Sequence, residues 1–216
     1  MLESSSSMSA RDPRDLLADV ARLFYGRGWM MGTAGNLSLR QPDGSFWITA
    51  SGKLKGRLQR EDFLRVAPGG EVLERGRPED RPSAETSLHD TIYRLFPEAA
   101  ACFHIHSIPG NVAARLAEGG ALRLPPLEMI KGFGIGDEEP AVDLAVFPNH
   151  TDVPRIAGEM AARFAAAPPQ VPGFLIRDHG LTAWGRDADA ALNHVELFEY
   201  LFGFLSAAGP ASREVR

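Results

Sequence analysis

The sequence predicts a mixed, mainly antiparallel β-sheet covered by helices, in one domain. Three observations carry that prediction. Apolar residues at helical spacing alternate along the chain with short runs of strand character. Several strand pairs are joined by Pro/Asp/Gly turns too short for a crossover, so they read as hairpins. No internal repeat and no Pro/Ser-rich linker divides the 216 residues, where a domain takes roughly 100–200.

In chain order, Asp12-Pro13 is a cap followed by proline at the first helical position, and Leu16, Leu17, Val20, Leu23 and Phe24 recur at helical spacing until Gly26 and Gly28. The strands 36–40 and 46–49 flank the turn Gln41-Pro-Asp-Gly44. A second hairpin joins 63–66 to 72–73 through Pro68-Gly-Gly70. Ser83 can cap a helix with Leu88, Ile92 and Leu95 on one side, closed by Pro97. A buried strand follows over 99–106, then a helix near 111–117, a strand over 142–147 and an amphipathic helix over 152–164. Two strands, 172–177 and 181–184, surround the sharp Asp178-His179-Gly180 turn. Asp187 caps the last helix, whose inner stripe is Ala191, Val195, Phe198, Phe202 and Leu205. The segment Gly132-Phe-Gly-Ile-Gly136 lacks dinucleotide-binding spacing and reads as a mobile loop.

Composition excludes several classes. With 44% hydrophobic and 24% charged residues, the chain can bury a sizeable core without disulfide or structural metal. Lys+Arg number 23 against 28 Asp+Glu, a net charge of -5, which argues against a general nucleic-acid binder. The lone Cys102 cannot pair within the chain, which points to a reducing compartment. Residues 1–10 have neither the basic nor the apolar region of a signal peptide and read as a disordered leader. The apolar stretch 197–208 is too short to span a bilayer, is preceded by Glu196 and contains Glu199. The expectation is a soluble, cytoplasmic protein with one domain over 11–209 and a tail over 210–216.

The strongest chemical signal is His104-Ile-His106 inside an apolar run. In a strand, residues i and i+2 share a face, so the two imidazoles form two corners of a metal site. Cys102 shares that face but reads as a small buried cysteine. A third ligand must come from elsewhere. His179, in a tight turn, is favoured over His194, which reads as a core or interface histidine within the last helix. Three histidines with an open position would make a Lewis acid able to polarise a carbonyl.

Thr33-Ala-Gly-Asn36, Thr49-Ala-Ser-Gly-Lys53 and Pro82-Ser-Ala84 form a second signal, because N–H groups and hydroxyls at strand and helix ends suit phosphate. A Walker-type loop is excluded, since Trp47 stands where its first glycine belongs. Two carboxylates complete the set. Glu85 falls in the first turn of the helix begun by Ser83. Glu128 lies in the apolar stretch Pro125-Pro-Leu-Glu-Met-Ile-Lys131, which would suit proton transfer, against a solvent-facing loop reading. The only lysines, Lys53, Lys55 and Lys131, all fall in or beside these segments and are expected to face an anionic substrate.

The ordered set Gly35-Asn36-Leu-Ser38, Thr49-Ala-Ser-Gly52, Pro82-Ser83-Ala-Glu85, His104-Ile-His106 and His179-Gly180 resembles the class II aldolase/adducin-head family from about Leu16 to Leu205. The resemblance implies a three-layer α/β/α fold, one zinc per subunit held by His104, His106 and His179, and a homotetramer with sites near subunit interfaces. It implies a sugar-phosphate substrate held by Asn36, Thr49, Ser51, Gly52, Lys53, Ser83 and Lys131, with no nucleic-acid or membrane partner. Glu128-Met-Ile-Lys-Gly132 and the Cys102–Ser107 run resemble the branch of the family that dehydrates 5-methylthioribulose 1-phosphate to 2,3-diketo-5-methylthiopentyl 1-phosphate in methionine salvage. In that branch Glu128 would donate and accept the proton. Glu85 holds the position of the aldolase branch's carboxylate, so the alternative is a sugar-phosphate aldolase or 4-epimerase.

Overall fold

A computed structural model describes residues 11–208; the expected leader and nearly all of the expected tail lie outside them. Helix α1 (Pro13–Gly26) starts as anticipated, with Asp12 accepting a hydrogen bond from the N–H of Arg14. The hairpins are β1 (Asn36–Arg40) with β2 (Phe46–Thr49), and β3 (Phe63–Val66) with β4 (Val72–Arg75). Then follow α2 (Thr86–Leu95), β5 (Ala101–Ile105), α3 (Ile108–Arg115), β6 (Ala121–Arg123) and β7 (Asp143–Phe147). The chain continues with α4 (Val153–Ala166), β8 (Gly173–Ile176), β9 (Gly180–Gly185) and α5 (Ala188–Ala208).

The described strands form one nine-stranded sheet in the order β4-β3-β2-β1-β5-β9-β8-β7-β6. Every pairing is antiparallel except β7 with β8, which α4 connects as a crossover. The three-layer, mainly antiparallel architecture is therefore present.

Strand alternation splits the core in two. On one face, α1, α3 and α5 cover Leu37, Leu39, Phe103 and Ile105, with Phe24, Phe198 and Phe202 fully buried. Each such phenylalanine contributes about 1.5–3 kcal/mol relative to exposure. On the other, α2 and α4 bring Leu88, Ile92, Ile156 and Met160 against Phe46, Ile48, Phe174 and Trp184. Cys102 belongs to this second layer, where burial pushes its thiol pKa well up.

Three expectations need correction. Helix α3 begins at Ile108 rather than near Asn111, because the Ser107 hydroxyl caps it by accepting from the N–H of Gly110. Helix α2 begins at Thr86 with Glu85 at the cap position, while the Ser83 hydroxyl accepts from the N–H of Glu85 one turn earlier. The segment read as a mobile loop from Gly132 starts inside a 3-10 helix, Glu128–Phe133. There a Cβ on Gly132 would meet Leu197, and Phe133 lies against Phe198 with ring centroids 4.7 Å apart.

Candidate metal centre

His104 sits within β5 at register with Asn36 on β1 and Thr182 on β9, so its position is set by two neighbouring strands. Its Nδ1 lies 2.9 Å from Thr182 Oγ1, which leaves Nε2 pointing out of the sheet. His106, two residues on, turns to the same side, and the two Nε2 atoms are 2.9 Å apart. The β8–β9 turn delivers the third imidazole. Asp178 takes a left-handed backbone (φ 54°), and Gly180 lies so close to β5 that a Cβ there would meet the Ile105 carbonyl at 2.1 Å. His179 Nε2 is thereby held 3.4 Å from His104 Nε2, and Asn111 of α3 donates to the His179 carbonyl.

Glu85 reaches this group from the head of α2, with Oε1 2.8 Å from His179 Nε2 and 3.3 Å from His104 Nε2. Burial raises the Glu85 pKa, but the charges and hydrogen bonds of His104 and His179 outweigh it and hold the carboxyl far below the usual range. His106 is pushed down to about 3, by burial first and then by the neighbouring imidazoles. Three ring nitrogens therefore converge beside a carboxylate. Nitrogen lone pairs at this separation repel unless a cation lies among them, and the donor set suits a metal ion. The potential ligand atoms of Glu85, His104, His106 and His179 all lie within 4.8 Å of one another, and the group can hold a metal ion.

The three Ser/Thr/Gly-rich segments converge at the same end of the sheet. The N–H of Lys55 donates to the Gly32 carbonyl, that of Ser51 to the Arg81 carbonyl, and Asn36 Nδ2 to Ser83 Oγ. Ser51 and Gly52 stand exposed in the turn after β2, with Gly52 in the left-handed region (φ 73°), and Ser83 is half-buried. Thr49 is fully buried, its hydroxyl exchanging hydrogen bonds with the backbone of Leu37. Asn36 is buried between Glu85 and His89.

Among the lysines, Lys53 pairs with Asp80 at 2.6 Å and Asp62 at 3.5 Å. Lys131 pairs on the surface with Glu128 at 2.9 Å. Lys55 alone is buried, its ammonium donating to the carbonyls of Thr33 and Lys53 and thereby tying two polar segments together. Burial lowers its pKa to about 8, against the opposing pull of Glu85 and Asp62.

Glu128 is not buried among apolar groups: its side chain is 80% exposed on the 3-10 helix and lies outside the four-residue cluster. The apolar neighbours that suggested burial, Leu127 and Met129, turn inward while Glu128 turns out. His194 lies apart from the cluster and donates from Nδ1 to the Trp184 carbonyl, 2.7 Å away. His89, which drew no attention in the sequence, joins the site through Asn36; its spacing of four from Glu85 on one helix was the available signal.

The open nine-stranded sheet with helices on both faces and the His/Glu centre define a three-layer α/β/α protein able to hold a metal ion. The chain belongs to the family described as Class II Aldolase and Adducin N-terminal domain, whose profile matches residues 15–205. It is 53% identical over 197 residues to a methylthioribulose-1-phosphate dehydratase of Microcystis aeruginosa, covering 91% of this chain and 96% of that protein. A protein of the same name from Leptospira biflexa is 42% identical, covering 86% and 92%. The crystal structure of YgbL from Escherichia coli superimposes with a TM-score of 0.77 at 26% identity, covering 91% and 89%. Among the described residues, no helix is long and apolar enough to cross a membrane.

Proposed function

We infer that this protein is a zinc-dependent hydro-lyase that converts 5-methylthioribulose 1-phosphate to 2,3-diketo-5-methylthiopentyl 1-phosphate, a step of methionine salvage. The observation that carries the reading is the convergence of His104, His106 and His179 beside Glu85. The choice of loss of water over carbon–carbon cleavage is supported by the names of the relatives at 53% and 42% identity.

His104, His106 and His179 would hold the zinc, one per chain. When bound there, zinc supplies a Lewis acid beside the substrate carbonyl, which acidifies the adjacent C–H. Glu85 is assigned the proton on that carbon, and its carboxylate beside the two histidine nitrogens supports the assignment. Glu128 is assigned the second proton transfer, to the departing C4 hydroxyl, by likeness to the dehydrating branch. The substrate phosphate falls to Ser51, Gly52 and Ser83, with Asn36 and Thr49 shaping the cradle behind them and Lys53 beside it; Lys131, paired with Glu128 on the surface, is assigned to the substrate by the resemblance alone.

The chain is read as a homotetramer in the cytoplasm, with sites near subunit interfaces. Ile108 and Val112 on α3 and Tyr200 and Phe204 on α5 are exposed apolar residues that would suit burial between copies. Sedimentation velocity showing a monomer would remove that part of the reading.

A second reading, a sugar-phosphate aldolase or 4-epimerase, is favoured by one observation: Glu85, not Glu128, lies against the histidine cluster. One experiment separates the two. Metal-analysed protein is incubated with 5-methylthioribulose 1-phosphate and the products are followed by mass spectrometry. Loss of one water supports the hydro-lyase; a three-carbon phosphate fragment supports the aldolase.

A further inference from the structure

Behind Glu85 runs a buried chain of polar side chains, of which the reaction above uses only Asn36. Asn36 Nδ2 reaches Glu85 Oε2, and Asn36 Oδ1 faces His89 Nε2. His89 Nδ1 lies 2.7 Å from Ser38 Oγ, and Ser38 Oγ lies 2.6 Å from the Tyr93 hydroxyl. Ser38 and His89 are fully buried, with Asn36 at 2% and Tyr93 at 4% exposure.

The hydrogens in this chain can be assigned by counting donors. An ionised carboxylate only accepts, so Asn36 must present its NH2 group to Glu85. Its carbonyl oxygen then faces His89 Nε2, which must carry the ring hydrogen. Nδ1 is left as an acceptor and takes the Ser38 hydroxyl hydrogen. Ser38 has then spent its only hydrogen, so the Tyr93 hydroxyl donates to it. The opposite polarity would turn the Asn36 carbonyl oxygen toward Glu85 Oε2, acceptor against acceptor, where the amide Nδ2 lies. Burial, with the charge of His104, also pushes the His89 pKa down to about 3, opposed by Glu85.

We propose that His89 is the positioning residue for Glu85: locked as the neutral Nε2–H tautomer, it fixes the Asn36 amide so that its N–H groups aim at the carboxylate. The assignment of a catalytic proton to Glu85 rests on the functional reading above; the tautomer does not. Outer partners of this kind typically carry about 10–100-fold in activity.

The test has two arms. In protein carrying 15N-labelled histidine, long-range 1H–15N spectra identify the tautomer of His89, with a His89→Gln variant assigning its signals. The expected result is an Nε2–H ring that does not titrate between about pH 5 and about pH 9; an Nδ1–H ring, or a titrating one, overturns the proposal. The second arm compares His89→Gln, whose amide can reach the Nε2 position and donate to Asn36, with His89→Asn, whose shorter amide reaches only Ser38. His89→Gln is expected to keep most of kcat, and His89→Asn to lose about 10–100-fold with metal content and KM little changed. Equal kcat in the two variants overturns the proposal. A wild-type protein inactive on the substrate counts against the functional reading alone, because the tautomer is read without turnover.

Discussion

Oε1 of Glu85, at the head of α2, lies 2.8 Å from Nε2 of His179, in the turn between β8 and β9. The contact joins the α2 side of the sheet to its β8–β9 turn, with His104 of β5 between them. A helix start, a central strand and a tight turn must therefore all be in register for the centre to exist.

Glu85→Gln and Glu128→Gln separate the two proton transfers. General acid–base groups contribute roughly 100- to 10,000-fold. Each variant is expected to retain metal and lose turnover by at least about 100-fold. A fully active Glu128→Gln protein would place both transfers on Glu85.

Gly180→Ala is expected to damage the centre without replacing a ligand. The added Cβ would meet the Ile105 carbonyl at 2.1 Å and press on the His106 ring at 3.1 Å. Overpacking of this kind costs about 1–3 kcal/mol or more. A thermal melt should show that loss together with reduced metal content. Unchanged stability and stoichiometry would mean the β8–β9 turn does not set the His179 position.

Lys55→Met keeps an apolar stem and removes the donors to the carbonyls of Thr33 and Lys53. Hydrogen bonds from charged donors contribute about 1.5–3 kcal/mol each, so a lower melting temperature and weaker substrate binding are expected. Lys131→Arg tests the opposite case, a surface cation paired with Glu128. If its kinetics match the wild type, a lysine there is not specifically needed by the substrate.

Glu199 gives a pH signature. It is buried on α5 with Oε1 accepting from the Ser107 hydroxyl and Oε2 without a partner among the described residues, and burial raises its pKa from 4.5 to about 7. Between those values the unfolded chain has lost this proton while the folded chain keeps it. Stability therefore falls as pH rises from 4.5 to about 7 and levels off above. Glu199→Gln should flatten that slope and be the more stable protein at alkaline pH, by on the order of 2–3 kcal/mol. Parallel melting curves for the two proteins across this range would contradict it.

Much of this was legible in the sequence, for physical reasons. The period of two from Cys102 onward put His104 and His106 on one face, and the hairpin turns indicated an antiparallel sheet. The turn that carries His179 was marked by Asp178 and Gly180, though its closeness to β5 depends on strand order, which periodicity does not encode. His89 was hidden because α2 reads as amphipathic through Leu88, Ile92 and Leu95, and a buried polar partner four residues after Glu85 adds nothing to that pattern. The three-residue β6 and the 3-10 helix at Glu128 are too short for a periodic signal. The exposure of Glu128 likewise depends on how that short helix packs on α5 through Phe133.

The measurement closest to the centre of the account is a zinc titration of chelated protein, with dehydration of 5-methylthioribulose 1-phosphate followed at each step. Wild-type activity is expected to rise with added zinc to a plateau at about one ion per chain, while His104→Ala and His106→Ala bind no zinc and stay inactive although folded. Full activity in the chelated protein, or unchanged zinc stoichiometry in both variants, would show that the three-histidine centre is not where the reaction takes place.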